Sequence, residues 1–258
     1  MTATAQPKYH AGLGPLVAGF TYCPFGDLQA VRDSINDQTC AIMIEPIQGE
    51  GGVQIPPEGF LQGLRDLCDE NDLRLIFDEV QVGCGRTGEW FAHQYFNVEP
   101  DIMTLAKSLC GGIAGGAMLA RPEIAVSLKP GTHAATFGGN PIAAAAGIAA
   151  IETIEEEGLL DEAKALSKVF ETRANDLVGQ FEFVKEVRVA GLMIGIELDI
   201  EGAPVVAQCM NNGLLINCTQ GNILRLLPAM NVGIDDANRG MDLIAEALQA
   251  VGREAVEA

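Results

Sequence analysis

Three short apolar runs, each ending in charge and each followed by glycines, set the terms on which this chain can fold. They are Ala41-Ile42-Met43-Ile44-Glu45, Leu73-Arg74-Leu75-Ile76-Phe77-Asp78-Glu79 and Asp101-Ile102-Met103-Thr104-Leu105-Ala106, the last leading into Lys107. Runs that are apolar throughout, instead of alternating, fit strands buried on both faces, as in a parallel sheet covered by helices. Between the first two runs, Phe60, Leu61, Leu64, Leu67 and Cys68 recur at helical period from about residue 57, with Asn71 near the end of the stretch. Gly116-Ala117-Met118-Leu119-Ala120 is predicted to be a fourth strand. The fold class is therefore α/β.

From Asn140 the texture changes to a long helical region, first Ala-rich and then Glu-rich, which breaks at Gly158 and ends near Gly179. Strands are predicted over Val187 to Leu198, Leu214 to Asn217 and Ile223 to Leu227, before a final amphipathic helix carrying Met241, Ile244, Leu248 and Val251. This pattern divides the chain into residues 1–155, a large domain, and residues 156–258, a smaller α+β domain with its connecting helix. A length of 258 residues accommodates both.

Composition narrows the function. The 35 acidic residues outnumber the 16 basic ones, for a net charge of −19, so no basic surface is expected for nucleic acid or an anionic membrane. No apolar run reaches the roughly 18 residues that span a bilayer, and the opening Met-Thr-Ala-Thr-Ala-Gln-Pro-Lys-Tyr-His has no secretory pattern. The 7 cysteines are odd in number and scattered, as expected of reduced thiols in a cytoplasmic protein. The 3 histidines are too dispersed for a metal site, and no metal is expected.

Ligands of an open parallel sheet sit beyond the carboxyl ends of its strands. There the sequence puts Glu45 before Gly49-Glu50-Gly51-Gly52, Asp78 and Glu79 before Gln81 and the loop from Gly83 to Gly88, and Lys107 before Gly111-Gly112. Lys107 follows a stretch with no charge after Asp101, so lost hydration should lower its pKa and favour the neutral amine that forms Schiff bases. The alternative is a lysine that ends a strand and snorkels to water. Asp78 follows four apolar residues and is costly to bury unpaired. It is either one half of an ion pair, with Arg86 for instance, or the acid that pyridoxal-phosphate enzymes pair with a Schiff-base lysine.

Four segments then carry a resemblance. Glu45-Pro46-Ile47-Gln48-Gly49-Glu50-Gly51-Gly52, the stretch from Leu75 to Gly88, Leu105-Ala106-Lys107-Ser108-Leu109 and Thr136-Phe137-Gly138-Gly139-Asn140-Pro141 resemble, in order and spacing, the motif series of class III, ornithine-type aminotransferases. The likeness covers essentially the whole chain, and the opening segments Gln6 to His10 and Pro24 to Leu28 most resemble the acetylornithine branch. It implies a fold type I pyridoxal-phosphate-dependent transferase with a mostly parallel sheet in the large domain. By the same resemblance, Lys107 would carry the pyridoxal 5'-phosphate and act as general base, Asp78 would pair with the pyridine nitrogen, and Gln81 would bond the phenolic oxygen. Thr136 would donate to the cofactor phosphate of a partner subunit, which implies a homodimer with shared sites. Arg225 would grip the substrate α-carboxylate, and Glu45 would pair with Arg225 and swing aside. One site could then take a terminal amine and afterwards 2-oxoglutarate.

The implied reaction turns N-acetylornithine and 2-oxoglutarate into N-acetylglutamate 5-semialdehyde and glutamate, a step of arginine biosynthesis. Ornithine, succinyldiaminopimelate, succinylornithine and 4-aminobutyrate are the sibling donors. Read from the residues alone, Arg225 between leucines is a structural ion-pair partner and Glu45 an acid that fixes its own loop. Ala135 stands where the family commonly has Ser, and His133 is equally an ordinary loop histidine. Family members extend further on the N-terminal side, where they carry a phosphate cup and a stacking aromatic ring. The chain is accordingly expected to be a C-terminal portion, and a non-catalytic fragment is the competing reading.

Overall fold

The computed structural model describes residues 1–257, with side chains described through residue 253. Its helices are α1 (Pro7–His10), α2 (Leu28–Ser34), α3 (Phe60–Glu70), α4 (Ala92–Tyr95), α5 (Pro122–Ala125), α6 (Pro141–Glu156), α7 (Leu159–Gln180), α8 (Ala203–Asn211) and α9 (Ile234–Glu257). Strands β1 (Ala41–Ile44), β2 (Arg74–Asp78), β3 (Ile102–Leu105) and β4 (Ala117–Ala120) form one sheet in that order. The first three are parallel, with Ile42 opposite Leu75 and Ile76 opposite Ile102, and β4 closes the edge antiparallel to β3. A second sheet, antiparallel throughout, runs β5 (Val184–Ala190), β6 (Met193–Leu198), β8 (Ile223–Leu226), β7 (Asn217–Thr219).

Each sheet has its own core. Helix α3 turns Phe60, Leu61, Leu64, Leu67 and Cys68 onto Leu75 and Phe77 of β2, as its apolar period requires. In the second, Leu166, Phe170 and Leu177 of α7 and Met241, Ile244 and Leu248 of α9 pack on Ile194, Ile196, Leu198 and Leu224. Gly158, at φ 64, breaks the long helical region into α6 and α7 at the expected point.

Two strand expectations are corrected. The run from Val187 to Leu198 is a hairpin of β5 and β6, not one strand. The chain reverses at Gly191, whose φ is 60, and a Cβ there would collide with the backbone of Arg86 and Thr87. Apolar residues stand on both sides of Gly191, and β6 contains a second glycine, Gly195, so the sequence does not mark where the chain turns. The strand expected from Leu214 begins at Asn217, and Leu215 stands 83% exposed outside the sheet.

Asp101 stitches the parallel layer together. Buried ahead of β3, it accepts from the Leu75 backbone N–H at 2.7 Å and from Arg65 at 2.9 Å, and it faces Arg121 at 3.4 Å. Burial pushes its pKa up, but the Leu75 N–H and the two guanidinium groups outweigh that and hold it below the usual aspartate value. Removing one partner of a buried pair leaves the other charge uncompensated. Asp101→Ala should therefore lower the urea-unfolding free energy by about 3 kcal/mol, the low end for such losses, because Asp69 still neutralises Arg65.

Candidate active site

The carboxyl edge of the parallel strands and one strand of the second sheet converge on Lys107. Beyond Leu105 the backbone passes through extended Ala106 into Lys107, whose φ of 47 opens a single 3-10 turn, Lys107–Cys110. A left-handed conformation costs an L-residue about 1–2 kcal/mol, so the surroundings must enforce it. The turn is closed by the Leu109 N–H on Ala106 O (3.0 Å) and the Gly111 N–H on Ser108 O (3.1 Å), and α6 packs over it. The residue stays exposed at the sheet edge, yet partial burial of its amine is the largest influence on it and lowers its pKa. Glu50, Glu45 and Asp78 oppose that shift, while Arg225 adds to it. Among the described residues, no ion pair or hydrogen bond engages the Lys107 amine.

Asp78 ends β2 and accepts from the Val80 N–H through Oδ1 at 3.0 Å. Arg86 does not pair with it, because its guanidinium turns to the Pro228 carbonyl in the second unit. Strand alternation sends the next acid to the opposite face. Glu79, 1% exposed, caps the start of α4 by accepting from the N–H groups of Ala92 (2.6 Å) and His93 (2.8 Å). Burial pushes it up to about 7, against the pull of those two N–H groups.

The expected pairing of Glu45 with Arg225 is corrected by the structure. Glu45 accepts from the Gly49 N–H at 3.0 Å, fixing its own loop, and burial raises its pKa. Arg225 instead donates to Glu50 at 2.7 Å and to Gln81 Oε1 at 3.4 Å, with its Nε on Asn217 Oδ1 at 3.2 Å. Gln81 completes the cluster by donating to Glu50 Oε1 at 3.2 Å. The Arg225 hydrogen bond is the largest influence on Glu50 and holds its carboxyl below the usual range. The physical reason is reach. Glu45 lies at the strand end, pointing back under the loop, whereas Glu50 sits at the loop's outer end, on the side facing β8. Glu50 was visible in Gly49-Glu50-Gly51-Gly52, but nothing in the sequence says which of two nearby acids leaves the loop.

Glu45, Asp78, Gln81, Lys107 and Arg225 are thus gathered in one place. Thr136 is not, since it lies exposed in the stretch before α6, as does His133.

Residues 1–248 match the model of the class-III aminotransferase family. The chain is 48% identical over 232 residues to the acetylornithine aminotransferase of Methanocaldococcus jannaschii, covering 90% of this chain and 58% of that protein. It is 44% identical over 252 residues to the acetylornithine aminotransferase of Caldanaerobacter subterraneus subsp. tengcongensis, covering 97% of this chain and 64% of that protein. Its fold superposes with a TM-score of 0.93 and 33% identity on an ornithine aminotransferase from Toxoplasma gondii, described with partial occupancy of PLP at its active site, over 98% of this chain and 61% of that one. The chain therefore spans less than two thirds of the length of each of these proteins.

Glu79 gives the site a pH signature. An unfolded glutamate titrates near 4.5 and the folded Glu79 at about 7. Between those values the folded state holds a proton that the unfolded state has released, so stability falls as pH rises. Glu79→Gln should remove that part of the slope, read as the difference between variant and wild-type unfolding free energies across the interval.

Proposed function

The chain belongs to the class-III aminotransferase family, and we propose that it supplies the cofactor lysine and the carboxylate grip of an enzyme that moves the terminal amino group of N-acetylornithine to 2-oxoglutarate. In this reading residues 1–155 carry the cofactor half and residues 156–258 the smaller domain, and the enzyme is a cytoplasmic homodimer. The observation that carries it is the unengaged Lys107 amine, its pKa lowered by burial, beside Asp78 on one side and the Arg225 cluster on the other.

Members of this family are pyridoxal-phosphate-dependent, and the residues present fit that cofactor. An amine with a depressed pKa suits Schiff-base formation, Asp78 has an oxygen free to meet a pyridinium N–H, and Gln81 has its amide close by. When bound, pyridoxal phosphate supplies an electron sink for the carbon that loses a proton. Lys107 would take that proton and return it at the adjacent position. Asp78 would keep the pyridine nitrogen protonated. Thr136, which is exposed, would reach the phosphate held by a second subunit.

Arg225 and Glu50 would form the carboxylate gate. With an amine donor bound, Glu50 neutralises Arg225. With 2-oxoglutarate bound, a substrate carboxylate takes its place in the guanidinium fork. Glu45, near Lys107 and Asp78, would shape the field at the reacting amine. The ornithine aminotransferase likeness supports ornithine as the second candidate donor. Among the described residues no helix is long and apolar enough to cross a membrane.

The test begins with the chain itself, incubated with pyridoxal phosphate, reduced with borohydride and digested. Label concentrated on the peptide containing Lys107, and lost in Lys107→Ala, is the expected result. Label spread over surface lysines would mark the chain as unable to build the site alone. In amine-donor turnover read from cofactor absorbance, N-acetylornithine should outpace ornithine, and Lys107→Ala should slow conversion by about 10²–10⁴-fold.

A further inference from the structure

The loop that carries Glu50 is pinned from both sheets. On the parallel side, Gln48 and Gln54 exchange backbone hydrogen bonds at 3.0 and 3.1 Å, and the Gly49 N–H meets Glu45. From the second sheet, Arg188 donates to Gly52 O at 3.1 Å, and Gln220 Nε2 donates to Glu50 O at 2.6 Å. Arg188 is anchored in turn by Glu197 at 2.7 Å, while Gln81 holds the Glu50 carboxylate and Gln220 holds its backbone carbonyl.

Gln220 sits where its residue type is a poor choice. It opens the turn between β7 and β8 at φ 54, followed by Gly221 at φ 86. Hairpin turns with two successive left-handed residues favour Asn-Gly or Gly-Gly, because Asn and Gly accept that conformation at least cost. Strained residues of this kind cluster at functional sites. The side chain supplies the compensation, since an exposed glutamine here spends its amide on the Glu50 carbonyl.

We propose that Gln220 is a positioning residue for the Glu50–Arg225 gate. By fixing the Glu50 carbonyl, it makes release of Arg225 a rotation of one side chain while the loop stays in place. The inference rests on the gate described above, and it extends that gate to a residue that touches neither substrate nor cofactor.

Gln220→Asn tests it, because asparagine suits the left-handed turn but is one methylene too short to reach Glu50. Gln220→Met is the second variant, equal in length and lacking the donor. The readout is the carbon-13 titration of the Glu50 carboxyl, whose charged neighbours are Arg225, Lys107 and Glu45. In wild type it should titrate below the usual glutamate range. Both variants should raise that midpoint toward the usual glutamate range, because a loosened Glu50 backbone weakens the bond to Arg225, with the thermal midpoint little changed.

A wild-type Glu50 titration in both variants overturns the proposal. Two controls judge the gate separately. Arg225→Gln should raise the Glu50 midpoint toward the usual glutamate range, and glutarate added to wild type should shift the Glu50 resonance as it displaces that carboxylate. If neither happens, the gate reading fails on its own terms. If both happen while Gln220→Asn and Gln220→Met leave Glu50 unmoved, only the role of Gln220 is lost.

Discussion

Arg225 is 8% exposed, in the middle of the otherwise apolar strand Ile223–Leu226, and a guanidinium so placed has to be answered by a carboxylate. The carboxylate comes from the other sheet. Glu50 can reach Arg225 only if the loop after β1 lies against β8, so the demand of one buried charge fixes how the two units meet. Other contacts across the junction agree with that placement. The Leu192 N–H bonds Arg86 O at 2.8 Å, Arg86 returns to the Pro228 carbonyl, and Arg188 holds Gly52. Truncating Arg225 would thus loosen the junction as well as empty the fork.

The parallel strands contribute direction. Because β1, β2 and β3 run the same way, their carboxyl ends deliver Glu45, Asp78 and Lys107 to a single edge. Three carboxylates near one amine would ordinarily hold it charged. Partial burial and the Arg225 charge act against them, and the net shift of Lys107 is downward. The site is therefore balanced between opposing fields, a condition suited to an amine that has to bond, release and carry a proton.

What could be read from the sequence followed from periodicity and strand ends. Lys107 and Asp78 were legible because each closes a short apolar run, and a parallel sheet puts such ends together. The alternation that separates Asp78 from Glu79 was equally available, but the cap that Glu79 forms depends on α4 arriving at the right place, a tertiary fact. The β5–β6 hairpin was hidden because apolar residues continue on both sides of Gly191, with a second glycine, Gly195, inside β6. The choice between Glu45 and Glu50 turned on the path of a glycine loop, whose φ values no apolar pattern records. Thr136 illustrates a different limit, since it lies exposed, away from the cluster at Lys107.

Gly191 has a consequence for how this sequence can vary. It is distant along the chain from Glu50, Lys107 and Arg225. Its missing side chain is what lets the hairpin rest against Thr87 and Arg86. Any larger residue there would act as a wedge at the seam between the sheets, lengthening the span Arg225 must cross. In mutational terms, a buried turn glycine with no chemistry of its own inherits the intolerance of the active site.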